Sequence, residues 1–189
     1  MTTHCPLMST DQDSVLVLID IQERLTTAMA SGVRERLIAQ VSTLITAAKA
    51  LSVPVIVTEQ YPKGLGATEE ALKSLLLETV PIIEKTSFSA AKVDDFLAEI
   101  AQTKRKQIIL TGMQTHICIM QSALDLQQQG YQVFVVEDAV SSRSAINQDN
   151  ALQRMRQAGI IISNVESIIF EWLGDAKHPA FRSLSKLIV

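Results

Sequence analysis

Two short runs of this chain, VLVLI at 15–19 and VPVIV at 53–57, are apolar at nearly every position instead of at every second one. A strand with one wet face alternates apolar and polar residues, because successive side chains point to opposite sides. A strand without that alternation needs cover on both faces, and a sheet packed between two layers of helices provides it. Similar apolar runs bounded by turn or polar residues mark strands at 81–83, 108–110, 132–136 and 160–163. Between and after them the helical period appears at 33–51, 68–77, 93–101, 116–129, 147–158, 166–173 and 181–187. Strand and helix alternate, which predicts an α/β three-layer sandwich with a mainly parallel, Rossmann-like sheet of six strands.

At 189 residues and 47% hydrophobic composition the chain has apolar material for one core. Residues 14–189 read as a single domain behind a flexible leader, 1–13, with no linker, low-complexity tract or repeat. The net charge of −3 includes no basic block, so the electrostatic footprint of a nucleic-acid binder is missing. The longest apolar runs are strand-sized, and the start of the chain lacks the pattern of a signal peptide, so no membrane partner is expected. Two cysteines, Cys5 in the leader and Cys118, make no disulfide framework. The expected compartment is the reducing cytoplasm.

Open parallel sheets bind ligands beyond the carboxyl ends of their strands, where strand order reverses. Asp20 ends the first predicted strand, Glu84 and Lys85 follow the third, Cys118 follows the fourth and Asp138 the fifth. A helix starting near Thr115 or His116 puts Cys118 in its first turn, where unpaired N–H groups and the dipole favour a thiolate. At about 100° per residue, Ile119, Met120, Ala123, Leu124 and Leu126 form one stripe. Cys118 then falls on the opposite arc with Gln121, Ser122, Asp125, Gln128 and Gln129, roughly 160° from Met120. A buried structural cysteine belongs on the stripe, so this placement favours a nucleophile.

A nucleophilic thiol needs a proton acceptor. His116, two residues away, is turned aside by the same arithmetic, and His4 and His178 lie in the terminal segments. The remaining base is Asp20, which the first strand delivers to the sheet edge. Carboxylate and thiolate repel unless a cation stands between them, and Lys85 is a candidate for that cation. Each has a plainer role open to it: Asp20 as a helix cap, Lys85 as a solvated lysine, Glu84 as a surface charge, Asp138 as a turn or cap residue. No Cys or His spacing suggests a metal, and Gly64 and Gly66 in YPKGLG do not form the triplet that cradles a pyrophosphate, so no cofactor is expected. That loop reads as a lid or rim, with Tyr61 as an apolar contact. Trp172 and Phe181 suit either core packing or an interface.

The segments VLVLIDIQERL, TEQYPKGLG, EKTSFSA, TGMQTHICIMQSALDL and DAVSSR, in this order, resemble the isochorismatase-like cysteine hydrolases. With GDAKHPAF near the end, the likeness covers nearly everything from Ser14 and is closest to the isochorismatase domain-containing branch. The resemblance implies a triad of Asp20 as general base, Lys85 as its charge partner and Cys118 as nucleophile. It further implies a cis peptide between Met113 and Gln114, and an oxyanion hole from the backbone N–H groups of Gln114 and Cys118. Substrate contacts are expected from Gln22, Tyr61 and Phe88. Nicotinamidases of this family carry an Asp and His metal site where this chain has Thr58, Glu59, Gln60 and Tyr61, and true isochorismatases do without the cysteine. The implied activity is therefore hydrolysis of a C–N bond in a small amide-like molecule through a thioester, by a homo-oligomer. The rivals are a non-catalytic interaction protein and a ribonuclease.

Overall fold

The computed structural model describes residues 7–188. In chain order its elements are β1 (Ser14–Ile19), α1 (Glu23–Thr26), α2 (Val33–Ala50), β2 (Val55–Gln60), α3 (Pro62–Leu65), α4 (Glu70–Lys73) and β3 (Ile82–Lys85). They continue with α5 (Asp94–Thr103), β4 (Gln107–Met113), α6 (Met120–Gln128), β5 (Gln132–Ser141), α7 (Ala145–Gln157), β6 (Ile161–Ser163), α8 (Val165–Leu173) and α9 (Phe181–Leu184). The six strands form one sheet in the order β3-β2-β1-β4-β5-β6, and every neighbouring pair is parallel. The chain first builds outward from β1 to β3, then returns to lay β4 against the other side of β1. The order reverses between β1 and β4.

The two layers explain the uninterrupted apolar strands. Leu16 and Leu18 of β1 join Ile109, Phe134 and Val136 beneath Val41 and Leu44 of α2 and Ile168 and Trp172 of α8. The residues between them, Val15, Val17 and Ile19, join Leu110 and Val135 under Phe96 of α5, Leu126 of α6 and Met155 of α7. At about 25 cal/mol per Å² of apolar surface removed from water, both faces contribute to stability. Trp172 belongs to this core, with its indole N–H donating to Ser14 Oγ at 3.0 Å. Phe181 packs against the same layer and meets Phe170 edge-on at 6.1 Å.

The differences from the sequence reading gather at the strand exits. β2 runs to Gln60, β3 to Lys85, β4 to Met113 and β5 to Ser141, each beyond the apolar run that marked it. Their last residues are polar or flexible, yet parallel pairing continues, as in Gln60 opposite Lys85 and Met113 opposite Ser141. The helix expected at 68–77 shrinks to α4, because Thr68 N–H is taken by Glu59 and Leu75 and Leu76 close tight three-residue turns. The expected flexible leader lies partly outside the described residues. From Ser9 the chain is tied down: Ser9 N–H and Oγ–H both donate to Glu171, and Thr10 N–H donates to Gln107.

Candidate functional site

The reversal between β1 and β4 is where the suspected residues meet. Asp20 is the first residue past β1 and sits in the left-handed region at φ 53, with its N–H donating to Thr58 O at 3.1 Å. Opposite, β4 comes so close to β1 that a Cβ on Gly112, at φ 118, would stand 2.0 Å from Ile19 O. Only glycine fits there, for reasons of both space and backbone angle. The following peptide, Met113–Gln114, is cis. The chain then makes a π-type turn over Thr115–Ile119, in which Ile119 N–H donates to Gln114 O, five residues back, at 3.2 Å. Cys118 lies in that turn, and α6 begins only at Met120.

This turn corrects the helical projection. An α-helical phase put Cys118 on the polar arc, but the wider turn rotates it inward, and it is buried beside Ile119 and Met120. Ser122, assigned to the same polar arc, is also buried, and its Oγ accepts from Ala90 N–H at 2.8 Å.

Asp20 is not a helix cap. Its Oδ1 accepts from Thr58 Oγ1 and its Oδ2 from Lys85 Nζ, both at 2.7 Å. Asp20 and Lys85 side chains are each 0% accessible, so Lys85 is not a solvated lysine either. Its ammonium also reaches Gln60 Oε1 at 2.7 Å and the carbonyls of Ser87 and Phe88 at 3.2 Å. A sealed ammonium needs such a shell to offset its lost hydration. The Cys118 thiol lies within electrostatic reach of Asp20 and Lys85, and the Gln114 backbone N–H acts on its sulfur. His116 takes no part: Nδ1 pairs with Ser142 Oγ at 2.9 Å, and Nε2 faces Asn147 at 3.5 Å. Glu84 is exposed, and Asp138 lies within β5, where its carboxylate accepts from Val165 N–H at the start of α8.

Burial governs the electrostatics. It pushes the Cys118 thiol up to about 12, helped by the Asp20 charge, while Lys85 and Gln114 pull the other way. The thiolate expected at a helix start is therefore not the resting form, since desolvation outweighs the local dipoles. Burial likewise raises the Asp20 carboxyl against the opposing effects of Lys85 and Thr58. His116 is held below its ordinary value by burial and by Arg143.

Above the sulfur opens a cavity of about 280 Å³, with Leu25, Leu65, Phe88 and Ile117 as apolar walls and Gln60, Gln114 and Arg143 as polar ones. Of the three expected substrate contacts, only Phe88 lines it. Gln22 is fully buried and holds the rim loop instead: its amide donates to Gln60 O and Gly66 O and accepts from Gln60 N–H. Tyr61 lies on Gly64, half-exposed, outside the cavity. Sequence reasoning missed Gln60 and Arg143, although both stand in quoted segments beside strand exits. Among the described residues no three His, Cys, Asp or Glu side chains cluster as a metal site. At the β2 exit, Thr58, Glu59 and Gln60 all bond to protein groups: Asp20, Thr68 and Lys85.

The model of the isochorismatase domain matches residues 14–167, a span that includes all six strands and the three residues at their exits. This chain belongs to the isochorismatase family. Among its relatives, isochorismatase domain-containing protein 2 of Xenopus laevis is 40% identical, over 95% of this chain and 85% of its own length. Among solved structures, the MAR1 ribonuclease of Caenorhabditis elegans is 39% identical with a TM-score of 0.89, covering 96% of this chain and 92% of its own. The YcaC gene product of Escherichia coli, described as an octameric hydrolase of unknown specificity, is 26% identical with a TM-score of 0.90, covering 98% and 91%. The isochorismatase-family hydrolase fold thus extends over nearly the whole chain.

Proposed function

We propose that this isochorismatase-family protein is a cysteine-dependent hydrolase that cleaves the C–N bond of a small amide-like substrate through a thioester on Cys118. The observation that supports it most is the buried Asp20–Lys85 pair, 2.7 Å apart, whose charges act on a thiol that lines an open pocket. A structural ion pair has no need of such a neighbour. With the thiol proton held up to about 12, Cys118 stays neutral until a carbonyl arrives. As sulfur attacks, the proton passes to Asp20, whose raised affinity suits a general base working near neutrality.

The S–C bond forms while the carbonyl oxygen gains charge and rests on the N–H groups of Gln114 and Cys118. Each such donor contributes about 3–4 kcal/mol of transition-state stabilisation. The C–N bond then breaks as Asp20 returns the proton to the leaving nitrogen. Water adds to the thioester, giving its proton to Asp20; the S–C bond breaks, the acid leaves and the thiol is restored. The sum is one amide and one water consumed, one acid and one amine released. Lys85 keeps Asp20 ionised before the attack, so that it can accept the proton, and holds it beside the sulfur throughout.

We extend the proposal to a homo-oligomer, supported by the octameric relative, and to a reducing cytoplasmic setting, in which the free thiol stays usable. A ribonuclease reading draws on the names of three similar solved structures, but a net charge of −3 and a small, mostly apolar cavity suit RNA poorly. A screen over small amides and ureides, run with native protein and Cys118→Ala, is the test. Turnover that disappears in the alanine variant is expected. Turnover that survives it would remove the covalent mechanism, and no turnover of any member would favour a non-catalytic role.

A further inference from the structure

One charge at the pocket has no counterpart. Arg143 is the sole ionisable residue besides Cys118 among those lining the cavity, and among the described residues its guanidinium makes no hydrogen bond or ion pair with the protein. Asp20 and Lys85 beneath the floor neutralise each other. His116 senses Arg143, which opposes its protonation, so a second cation is unfavourable beside it.

Arg143 is exposed at the cavity, but its backbone is held in place. Arg143 N–H donates to Gln114 Oε1 at 3.1 Å, and the preceding Ser142 is buried with its hydroxyl bonded to His116 Nδ1 at 2.9 Å. Ser141, one residue earlier, pairs with Met113 across β4 and β5. The segment carrying Arg143 is therefore registered against the segment carrying Gln114, whose N–H faces the reactive sulfur. Cys118 and Arg143 line one cavity together with Leu65, Phe88 and Ile117, so a ligand whose carbonyl lies at Cys118 shares that cavity with the Arg143 side chain.

We propose that Arg143 anchors the anionic end of the substrate, so that the molecules cleaved are small amide or ureide acids: a scissile C–N carbonyl, a short apolar middle and a terminal carboxylate. This rests on the hydrolase reading above and narrows it. A guanidinium pairs with a carboxylate through two parallel hydrogen bonds, which fixes orientation as well as adding affinity. Leu65, Phe88 and Ile117 accommodate methylene groups rather than further charges. A cavity of about 280 Å³ lies just under the range of about 300–1,000 Å³ that holds drug-sized ligands, which suits a compact acid.

The test compares matched pairs that differ in one group: succinamate with succinamide, and glutaramate with glutaramide. Hydrolysis is measured with native protein, and binding by calorimetry with Cys118→Ala. The acid is expected to exceed the diamide by about ten- to a hundredfold in kcat/KM and in affinity, the scale of a charge-assisted pair. Arg143→Gln is expected to abolish that preference mainly through KM, and Arg143→Lys to restore part of it. Because the side chain has no protein partner, these variants fold as the native chain does, and matching melting temperatures check this. Equal hydrolysis and binding of acid and diamide, unchanged in Arg143→Gln, overturns the anchor and leaves the hydrolase reading intact. Selective binding of the acids without turnover of either supports the anchor and removes the hydrolase reading. Arg143-dependent binding of a short single-stranded RNA, with no discrimination between acid and diamide, also overturns it.

Discussion

Two ion pairs in this protein have the same length and opposite consequences. Asp20 meets Lys85 at 2.7 Å, and Glu69 meets Arg34 at 2.7 Å. In the first, both side chains are fully sealed, and burial raises the carboxyl despite its cation. In the second, Glu69 is buried, at 4% exposure, but Arg34 is 40% exposed, and its two hydrogen bonds hold the Glu69 carboxyl below the ordinary range. Glu69 also accepts from Thr26, so it fastens α1, α2 and the start of α4 to one another. The contrast separates a fastener from a working pair. A bridge whose cation reaches water keeps its carboxylate charged and inert, whereas one sealed at both ends leaves the carboxylate with an appetite for a proton, and here a thiol stands beside it.

The largest expected effect follows from removing the cations. Lys85→Met leaves a buried carboxylate alone, which costs about 3–5 kcal/mol in urea unfolding unless Asp20 takes a proton. In either case the base is lost and turnover with it. Arg34→Met is expected to lower stability distinctly less and to leave turnover in place, because Glu69 keeps its bond from Thr26 and the pair is open to water on the Arg34 side. Equal losses in the two variants would erase the distinction between the pairs.

A smaller effect concerns pH. Glu69, with its carboxyl lowered on folding, adds stability that is complete above its unfolded value of about 4 and is lost as pH falls through the folded value. Asp20, with its carboxyl raised, has the opposite sign: its contribution is complete below its unfolded value and is lost as pH rises through the folded one. Between about pH 3 and pH 7, the stability gap between native protein and Glu69→Gln should therefore widen, reaching about 1 kcal/mol. The gap to Asp20→Asn should narrow over the same interval. Denaturant titrations at several pH values read both, and parallel trends would show that burial does not set the Asp20 carboxyl.

The contrast also marks where the sequence can be read. The layered fold was legible because VLVLI and VPVIV leave no face for water, and the structure buries alternate residues of β1 in the two layers. Asp20, Lys85 and Cys118 were legible as candidates because each follows an apolar run toward one sheet edge. Their sealing was not, since burial of polar ends depends on strands running on to Gln60, Lys85 and Met113, and apolar patterning stops short of them. The environment of Cys118 was misread for a local reason: a π-type turn has no signature in a projection that assumes one helical phase. The Glu69 fastener and the Gln22 clamp join residues 35 or more positions apart, or a side chain to loop carbonyls, and no spacing rule reaches them. Arg143 stood in DAVSSR, but its place at the pocket depends on the registry of β5 with β4.

The central claim is that Asp20 and Cys118 share one proton in a dry site. A direct test is to titrate Cys118 by ultraviolet thiolate absorbance in a Cys5→Ser background, with and without Asp20→Asn. The native thiol should stay protonated across the neutral range and ionise only far above the ordinary value of about 8.5. Asp20→Asn should bring that titration down, because it removes a repelling charge and leaves Lys85 beside the sulfur without a counter-ion. A native thiol already ionised at neutral pH, or one whose titration ignores the loss of Asp20, would contradict the account.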